Sequence, residues 1–232
     1  MAPRGRSCSG YVLEQGGFHL LIDPGYATLP RLLEVLPAES VDAVLVSHGH
    51  PDHVADLNPL LRARAMSDDP PAALPLYALP SALRPVLSLD RPGMLDAAYE
   101  AREFSAGETL TIGPFRADTR LLPHMLPNAG VRLTAADTSM TYTGDAGPID
   151  DLVELARDTD LLLAEATHLD DVRGLLNCAR EVGRQAVRAR ARRLVLTHLW
   201  PGTDPMASHA AAAHVYRDRI DVAVPGLVID LG

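Results

Sequence analysis

The chain has 232 residues, enough for a sizeable hydrophobic core, and we expect residues 1–232 to form a single domain. With 47% hydrophobic and 22% charged residues it has an ordinary globular composition, and no apolar run reaches the roughly 18 residues that cross a membrane. A net charge of −9, from 21 basic and 30 acidic residues, disfavours duplex nucleic acid as the ligand, because duplex binders carry a basic stripe.

The chain alternates strand and helix patterns, with hairpins between them. Its first half predicts, in order, a hairpin of strands 11–14 and 19–22, a helix 29–36, a strand 41–46, a helix 54–64, a strand 74–79 and a helix 81–87. Its second half predicts a hairpin of strands 109–112 and 115–122, a helix 148–156, a strand 161–165, a helix 179–190, a strand from Leu194, a helix from Asp204 to about 216 and strands 220–224 and 227–231.

The most informative motif is a polar run that directly follows the predicted strand 41–46. Within six residues it contains four potential metal ligands: His48, His50, Asp52 and His53. The carboxyl end of a buried parallel strand is where open α/β folds build their sites. His and Asp bind Zn, Mn or Fe, and four so close together cannot all be satisfied core residues. The run therefore predicts a metal site; the alternative, a solvated loop, leaves the later histidines unexplained.

Three further candidates follow later strand-like runs. His124 and His198 each end an apolar run, and Asp145 follows a short strand-like stretch and Gly144. Gly144 leaves room for a close approach of the backbone. Taken singly, each residue is more often structural than a ligand. Together with the first motif they form an ordered series in which every member stands at a strand end.

This series resembles the metallo-β-lactamase superfamily, in particular the branch of ribonuclease Z and related phosphodiesterases. The resemblance extends over nearly the whole chain and includes Leu20-Leu21-Ile22-Asp23-Pro24-Gly25, His48-Gly49-His50-Pro51-Asp52-His53, His124, Thr143-Gly144-Asp145, Leu163-Ala164-Glu165-Ala166-Thr167 and Leu196-Thr197-His198. It implies an α/β fold, the four-layer αββα sandwich, holding two divalent metal ions, usually zinc, with manganese or iron as alternatives. By this resemblance one metal is bound by His48, His50 and His124, the other by Asp52, His53 and His198, and Asp145 bridges both.

The chemistry of a metal pair agrees with these residue types. A bound divalent cation lowers the pKa of water towards about 7, and two cations about 3.5–4 Å apart can share the attacking hydroxide. A bridging ligand must be an anion with two oxygens, which Asp145 offers. We expect Asp52 to be catalytic as well as a ligand, by orienting or deprotonating the water. Asp23 is either the hydrogen-bond partner of a ligand histidine or a plain turn residue.

Two departures from the family pattern affect these expectations. Relatives usually begin with one more strand before the segment at Ser9, so we expect that strand to be missing or the start to be truncated. Ribonuclease Z carries a glutamate paired with a histidine; Glu165 matches the glutamate, but Asn177 stands at the histidine position and cannot act as an acid. His168 is the candidate replacement, or else an exposed loop histidine. Capping of the following helix is the alternative interpretation of Asn177.

The expected binding partners are inferred from the short segment between His124 and Asp145 and from the net charge. Ribonuclease Z that processes tRNA has a long basic arm between the segments matching His124 and Asp145, and this chain has only residues 125–144 there. With the acidic charge, this argues against structured tRNA and for a small-molecule substrate. Arg132 is expected to form a surface salt bridge, with a substrate phosphate as the alternative. Five further arginines are interpreted as a solvated helix face rather than a phosphate patch: Arg184, Arg188, Arg190, Arg192 and Arg193. Homodimers are common among the look-alikes, and only that analogy suggests one here.

The compartment is predicted from the cysteines and the start of the chain. Cys8 and Cys178 are too few for a disulfide framework or a cysteine-based zinc site. Residues 1–6 are charged but are followed by no apolar segment, so we expect no signal peptide. A cytoplasmic protein that enters no membrane is the resulting prediction.

Three functions remain in competition. The leading hypothesis is a dinuclear metal-dependent hydrolase of a small phosphodiester, acting through a metal-bridging hydroxide. The alternative substrate is a lactone, thioester or other carboxylic ester, because the same hydroxide attacks carbonyl carbon. A non-catalytic metal-binding protein is the least favoured, since a degenerate site would be expected to have lost some ligand positions.

Overall fold

The computed structural model describes residues 8–231 as two compact α/β units, each built around a mixed β-sheet. Of the described residues, the first unit comprises 8–105 and Ile112–Pro114, and the second comprises Ala106–Thr111 and 115–231. The predicted α/β class is confirmed, whereas the single domain over residues 1–232 stays a prediction. The expectations about a signal peptide and an additional first strand fall on residues 1–7, outside the described part of the chain.

Five strands form the sheet of the first unit and follow one another in chain order: β1 (Tyr11–Gln15), β2 (Phe18–Ile22), β3 (Ala43–Val46), β4 (Leu74–Ala78) and β5 (Tyr99–Glu103). β1 and β2 are antiparallel, and the other neighbours are parallel. All four residues of β3 are buried, which explains its continuously apolar sequence. The sequence did not predict β5, because this edge strand exposes most of its side chains and has no apolar pattern.

The helices of the first unit are short: α1 (Leu29–Leu32), a 3₁₀ turn (Ala38–Ser40), α2 (Pro51–Val54), α3 (Leu57–Ala65) and α4 (Arg84–Leu87). The predicted helix 29–36 ends early at Leu32, and only turns continue to Leu36 before Pro37. The predicted helix 54–64 is two helices, because Pro51 starts a turn early and the backbone of Asp56 leaves helical geometry. Leucines of α3 pack on β3 and β4 in the core of this unit.

Seven strands form the sheet of the second unit: β6 (Thr109–Ile112), β7 (Phe115–Leu122), β8 (Asn128–Ala135), β9 (Thr138–Tyr142), β10 (Leu161–Glu165), β11 (Arg193–Thr197) and β12 (Arg219–Val222). The sheet runs in the order β12-β11-β10-β9-β8-β7-β6. β9 to β12 are parallel to their neighbours within that set, while β8 is antiparallel to both β7 and β9. β7, β9, β10 and β11 therefore all end at the same edge of the sheet.

Three helices belong to the second unit: α5 (Asp150–Leu155), α6 (Ala179–Ala189) and α7 (Pro205–Ala213). Small and apolar residues of α6 at helical spacing are buried against β10 and β11. The predicted start of the last helix is confirmed, since the Asp204 side chain accepts a hydrogen bond from the Met206 N–H. The predicted strand 227–231 is wrong: it lies beyond the edge strand β12, and Val228 is 87% exposed.

Within residues 8–231, none of the helices described above has the length and apolar character of a membrane span.

Candidate metal centre

The first ligand group consists of His48, His50, Asp52 and His53 and lies between the end of β3 and the first turn of α2. His48 and His53 are completely buried, and their ring centroids are 4.2 Å apart. Nε2 of His48 lies 3.0 Å from Nδ1 of His50. One strand end and one helical turn thus concentrate three imidazoles and a carboxylate in a small volume of the first unit.

Asp23 orients two of these histidines from the end of β2. Its Oδ1 accepts a hydrogen bond from the Ser47 N–H at 2.7 Å, and its Oδ2 accepts from Ser47 Oγ at 2.5 Å. The same Oδ2 lies 2.8 Å from Nδ1 of His53, and Ser47 Oγ lies 3.0 Å from Nδ1 of His48. When Nδ1 of His53 donates to this carboxylate, its Nε2 carries the lone pair that a metal needs. The predicted hydrogen bond between the Asp23 carboxylate, as acceptor, and a candidate ligand histidine is confirmed.

Asp23 also belongs to a group that could itself hold a metal. One donor atom each of Asp23, His48 and His53 lies within 4.8 Å of the others. Both Asp23 oxygens already accept hydrogen bonds from Ser47, and one of them also faces His53. We therefore interpret Asp23 as the residue that holds the ligands in place rather than as a ligand.

Gly25 fixes the distance between the Asp23 turn and helix α2. A Cβ atom at this position would lie 1.8 Å from the carbonyl oxygen of Asp52, closer than any real contact. The Asp56 N–H donates to the carbonyl oxygen of Pro24 at 2.8 Å, so the turn and the helix are also hydrogen-bonded. The motif Asp23-Pro24-Gly25 therefore positions Asp52 through backbone packing as well as His53 through a hydrogen bond.

The second ligand group consists of His124, Asp145 and His198 in the second unit. Oδ2 of Asp145 lies 3.4 Å from Nε2 of His198 and 3.9 Å from Nε2 of His124. The side chains of His124 and Asp145 are 2% and 5% exposed, and that of His198 is 22% exposed. Two ligands that each lie about 2.0–2.1 Å from a tetrahedral zinc are about 3.4 Å apart, so Asp145 and His198 have the separation of co-ligands.

Strand topology explains why three residues so distant in sequence converge. His124, Asp145 and His198 follow β7, β9 and β11, which end at the same edge of the sheet. His198 adopts φ +53°, a left-handed conformation that is uncommon for a residue with a side chain and is typical of ligand-holding positions.

Glu165 at the end of β10 supports His198 through Thr167. Oε2 of Glu165 accepts hydrogen bonds from the Thr167 N–H at 3.0 Å and from Thr167 Oγ1 at 2.6 Å. Thr167 Oγ1 lies 3.1 Å from Nδ1 of His198. Burial raises the pKa of Glu165 to about 7. The hydrogen bond from Thr167 lowers this pKa, and the nearby negative charge of Asp145 raises it.

Asn177 is buried, and its backbone N–H and both polar atoms of its side chain are hydrogen-bonded. Its N–H donates to Oε1 of Glu165 at 2.6 Å, its side-chain amide donates to Gln185 at 2.8 Å, and its side-chain oxygen accepts from the Cys178 N–H at 2.9 Å. The N-cap of α6 is Cys178 rather than Asn177, so the capping interpretation is wrong by one residue. Asn177 instead connects Glu165 to the beginning of this helix.

His168 lines a surface cleft of 540 Å³ in the second unit, together with Thr167, Leu169, Asp170, Asp171, Arg173, Trp200 and Thr203. Its ring stacks beside that of Trp200, with centroids 6.4 Å apart and planes inclined by 24°. Burial, followed by the charge of Arg173, lowers the pKa of His168. Trp200 was not among the predicted site residues, although its position two residues after His198 was a usable signal.

The arginines that were considered as phosphate ligands form hydrogen bonds or ion pairs with other residues of the protein. Arg132 donates to the carbonyl oxygens of Leu155, which ends helix α5, and of Arg157, and to Ser139 Oγ, so the expected surface salt bridge is wrong. The five arginines of the basic cluster each pair with a carboxylate: Arg184 with Glu181, Arg188 with Asp150, Arg190 with Asp158, Arg192 with Asp160 and Arg193 with Asp221. Only Arg184 and Arg188 lie on α6, while Arg190 follows its last residue and Arg193 begins β11, so the predicted single helix face is wrong for the later arginines. The ion pairs favour a structural role for the cluster over a phosphate patch.

Comparison with known proteins places this geometry in a family. Residues 19–199 match the β-lactamase superfamily domain. Probable metallo-hydrolase YhfI of Bacillus subtilis is 32% identical over 230 residues, which cover 95% of this chain and 91% of that protein. Its crystal structure, described as a metallo-β-lactamase fold protein, matches with a TM-score of 0.90 at 27% identity and covers 99% of this chain and 94% of that chain. Ribonuclease Z of Myxococcus xanthus is 25% identical over 287 residues, which cover 97% of this chain and 92% of that protein.

The donor chemistry of both ligand groups fits divalent metal ions. Imidazole nitrogens and carboxylate oxygens are ligands for zinc, manganese and iron, and in each group a buried acid lies behind the histidines. Fold, family match and relatives agree with this donor set. The chain belongs to the metallo-β-lactamase superfamily and is a metal-dependent hydrolase.

Proposed function

We propose that the first and second ligand groups together bind two divalent metal ions and that the protein hydrolyses a small phosphodiester. The observation that carries this proposal is the ligand series itself, in which every donor position of the resembled pattern is present in order. His48, His50 and His124 would hold one metal, and Asp52, His53 and His198 the other. Asp145 would bridge them, because it alone in the second group offers two anionic oxygens.

Zinc is the proposed metal, with manganese and iron as alternatives, because the donors are mainly imidazoles. When bound, the metals would supply an activated water and neutralise charge on the phosphoryl oxygens. Asp52 would orient that water and accept its proton. Glu165 would hold His198 in position through Thr167, whose hydroxyl it binds at 2.6 Å.

His168 is the proposed group beside the leaving oxygen. Because its pKa is lowered, the ring is mostly neutral near pH 7 and would donate an N–H hydrogen bond rather than deliver a full positive charge. Asn177 cannot substitute for it, since both ends of its amide already bond to Gln185 and Cys178.

A small substrate is favoured over structured tRNA. The residues that separate His124 from Asp145 are largely taken up by β8 and β9, strands of the sheet, which leaves no length for a basic arm. Ribonuclease Z among the relatives supports a phosphodiester as the bond that is cleaved. A cytoplasmic location and a homodimer stay predictions.

The test is hydrolysis of bis(p-nitrophenyl) phosphate by the zinc- and manganese-loaded protein, beside Asp145→Ala. We expect clear turnover that is lost in the variant, because Asp145 is the proposed bridging ligand. Asp137→Ala, an exposed aspartate in the turn between β8 and β9, is the matched control and should keep the activity. A panel of lactones and thioesters is run in parallel; turnover of these with none of the phosphodiester would overturn the proposed substrate class.

A further inference from the structure

An exposed tryptophan stands beside the second ligand group. Trp200 is the only tryptophan of the chain and is 59% exposed. It lies two residues after His198 and lines the 540 Å³ cleft described above. A large aromatic side chain left in solvent within a cleft is a common feature of ligand-binding sites, because the apolar surface is covered when the ligand binds.

The ring of His168 gives the cleft a second aromatic surface. The His168 and Trp200 rings are near-parallel, inclined by 24°, with centroids 6.4 Å apart. Flat aromatic groups stack on such faces in an offset arrangement with similar centroid separations. A planar ligand can stack on the exposed ring of Trp200 beside His168, which a branched aliphatic ligand cannot do.

Backbone hydrogen bonds hold the main chain at His168 and Trp200 in place. The Trp200 N–H donates to the carbonyl oxygen of Thr167 at 3.2 Å, and Thr203 donates to that of Trp200 at 2.9 Å. The His168 N–H donates to the carbonyl oxygen of Asn177 at 3.1 Å, and Ala179 donates to that of His168 at 2.8 Å. The backbone that carries the two rings is thus fixed before a ligand arrives, which reduces the entropy lost on binding.

Thr167 connects this cleft to the second ligand group. Its carbonyl oxygen binds the Trp200 N–H, while its hydroxyl lies 3.1 Å from Nδ1 of His198. A substrate whose phosphate lies at His198 would therefore have its adjoining group next to Trp200. Of the charged lining residues, Asp170 is paired with Arg180 at 2.7 Å, and Asp171 and Arg173 supply further polar atoms around the rings.

We propose that this cleft binds a planar heteroaromatic group of the substrate, a nucleobase, by stacking on Trp200 and His168. The inference rests on the proposed function, since it makes the small phosphodiester a nucleoside phosphodiester. Polar side chains around the rings can bond to the edge of the base, while the ring faces tolerate different bases. The cleft therefore distinguishes nucleoside substrates from non-nucleoside substrates, and it does not distinguish one base from another.

Binding is tested first by the fluorescence of the single tryptophan in the zinc-loaded protein. Adenosine 5′-monophosphate and ribose 5-phosphate are titrated separately; they share the sugar phosphate and differ in the base. We expect saturable quenching by the nucleotide only, weakened in His168→Ala. Equal quenching by both ligands, or none by either, overturns the proposal, because Trp200 itself reports contact with the base.

Kinetics provide the second test. Thymidine 5′-(p-nitrophenyl phosphate) and methyl p-nitrophenyl phosphate share a leaving group, and only the first carries a base. In Trp200→Ala the ratio of kcat/KM for the two substrates should fall roughly 5- to 150-fold, the range measured for single base–aromatic stacks, and Trp200→Phe should restore most of it. Leu89→Ala, an exposed residue of the first unit, should leave the ratio unchanged.

The outcomes distinguish failure of the nucleobase assignment from failure of the proposed function. An unchanged ratio in Trp200→Ala overturns the nucleobase assignment while hydrolysis of both substrates upholds the phosphodiesterase. If the wild-type protein hydrolyses neither substrate, the proposed function fails, and the fluorescence titration alone then decides whether the cleft binds a nucleotide.

Discussion

The two ligand groups are supported by the same kind of pair, a buried acid and a hydroxyl residue at a strand end. In the first unit the pair is Asp23 and Ser47, and in the second it is Glu165 and Thr167. Asp23 lies 2.8 Å from Nδ1 of His53 and so contacts a candidate ligand directly. Among the hydrogen bonds determined for the described residues, Glu165 contacts its hydroxyl partner and the backbone instead.

This difference determines how strongly substitution of each acid should lower the affinity for the metal. A carboxylate that accepts the N–H of a ligand imidazole fixes both its tautomer and its orientation. A carboxylate that acts through a hydroxyl fixes only the hydroxyl, which can rotate to serve either partner. We therefore expect the first group to be the more rigid and the more sensitive to substitution of its acid.

The largest effect is expected from Gly25→Ala, which breaks the packing behind the first group. The new Cβ would lie 1.8 Å from the Asp52 carbonyl oxygen, so the turn and helix α2 must separate. We expect the free energy of unfolding to fall by about 3 kcal/mol, the upper range for overpacking, and zinc binding to be impaired. Urea denaturation and metal analysis measure the two effects.

Gly147→Ala is the matched control in the second unit. A Cβ there meets the Leu175 backbone at 3.4 Å, an ordinary contact, and Gly147 has no positive φ. Its unfolding free energy should change by less than about 1 kcal/mol. Equal losses in the two variants would show that Gly25 has no special role beside Asp52.

The next effect is expected from Asp23→Asn, which tests the direct contact in the first group. The amide keeps an acceptor oxygen but loses the charge that favours donation from Nδ1 of His53. Loss of such a supporting carboxylate typically lowers metal affinity 10- to 100-fold, and we expect a value in this range. Chelator competition measures the affinity, and Asp42→Asn, a partly exposed aspartate that bonds to His19, is the control. A wild-type affinity in Asp23→Asn would contradict the comparison.

The same contrast explains what the sequence could predict. The first group is contiguous, so residue types and an apolar strand before them were sufficient to predict a metal site. The second group depends on β7, β9 and β11 ending together, which follows from β8 pairing between β7 and β9. The sequence did not predict β8, because Asn128 and Gly130 interrupt its apolar pattern. The residue pattern therefore predicted a strand end before each of these three residues, and only the resemblance to a family assigned them to one site.

Other features could not have been predicted from residue types. Asn177 was considered as a lost acid or a helix cap, and its role as a buried connection between Glu165 and Gln185 depends on three-dimensional contacts. Arg132 was expected to bind a charge, whereas it donates to carbonyl oxygens at the end of α5. In both cases the side chain satisfies buried backbone or amide groups, and such groups have no sequence signature.

A smaller effect is expected from Thr167→Val, which tests the indirect contact in the second group. The substitution keeps the shape and removes the hydroxyl between Glu165 and Nδ1 of His198. We expect zinc affinity to fall by about 10-fold at most, the lower end of the range for such support, since Glu165 does not bond to the imidazole itself. Chelator competition is again the measurement. A loss greater than that of Asp23→Asn would reverse the proposed order of the two groups.

The smallest effect is expected from pH, and it concerns Glu165 in the metal-free protein. Its pKa is raised to about 7 by burial, above the ordinary value of 4.5, so between these values the folded state binds more protons than the unfolded chain. Stability contributed by this group is therefore greatest at low pH and is lost as the pH rises towards 7. Wild type should lose about 1 kcal/mol per pH unit more than Glu165→Gln between about pH 5 and 6.5. The measurement is urea denaturation at several pH values, with the exposed Glu108→Gln as control, which should follow the wild-type slope. Identical slopes for wild type and Glu165→Gln would mean that Glu165 is already ionised in the folded protein across this pH range, which would contradict the raised pKa.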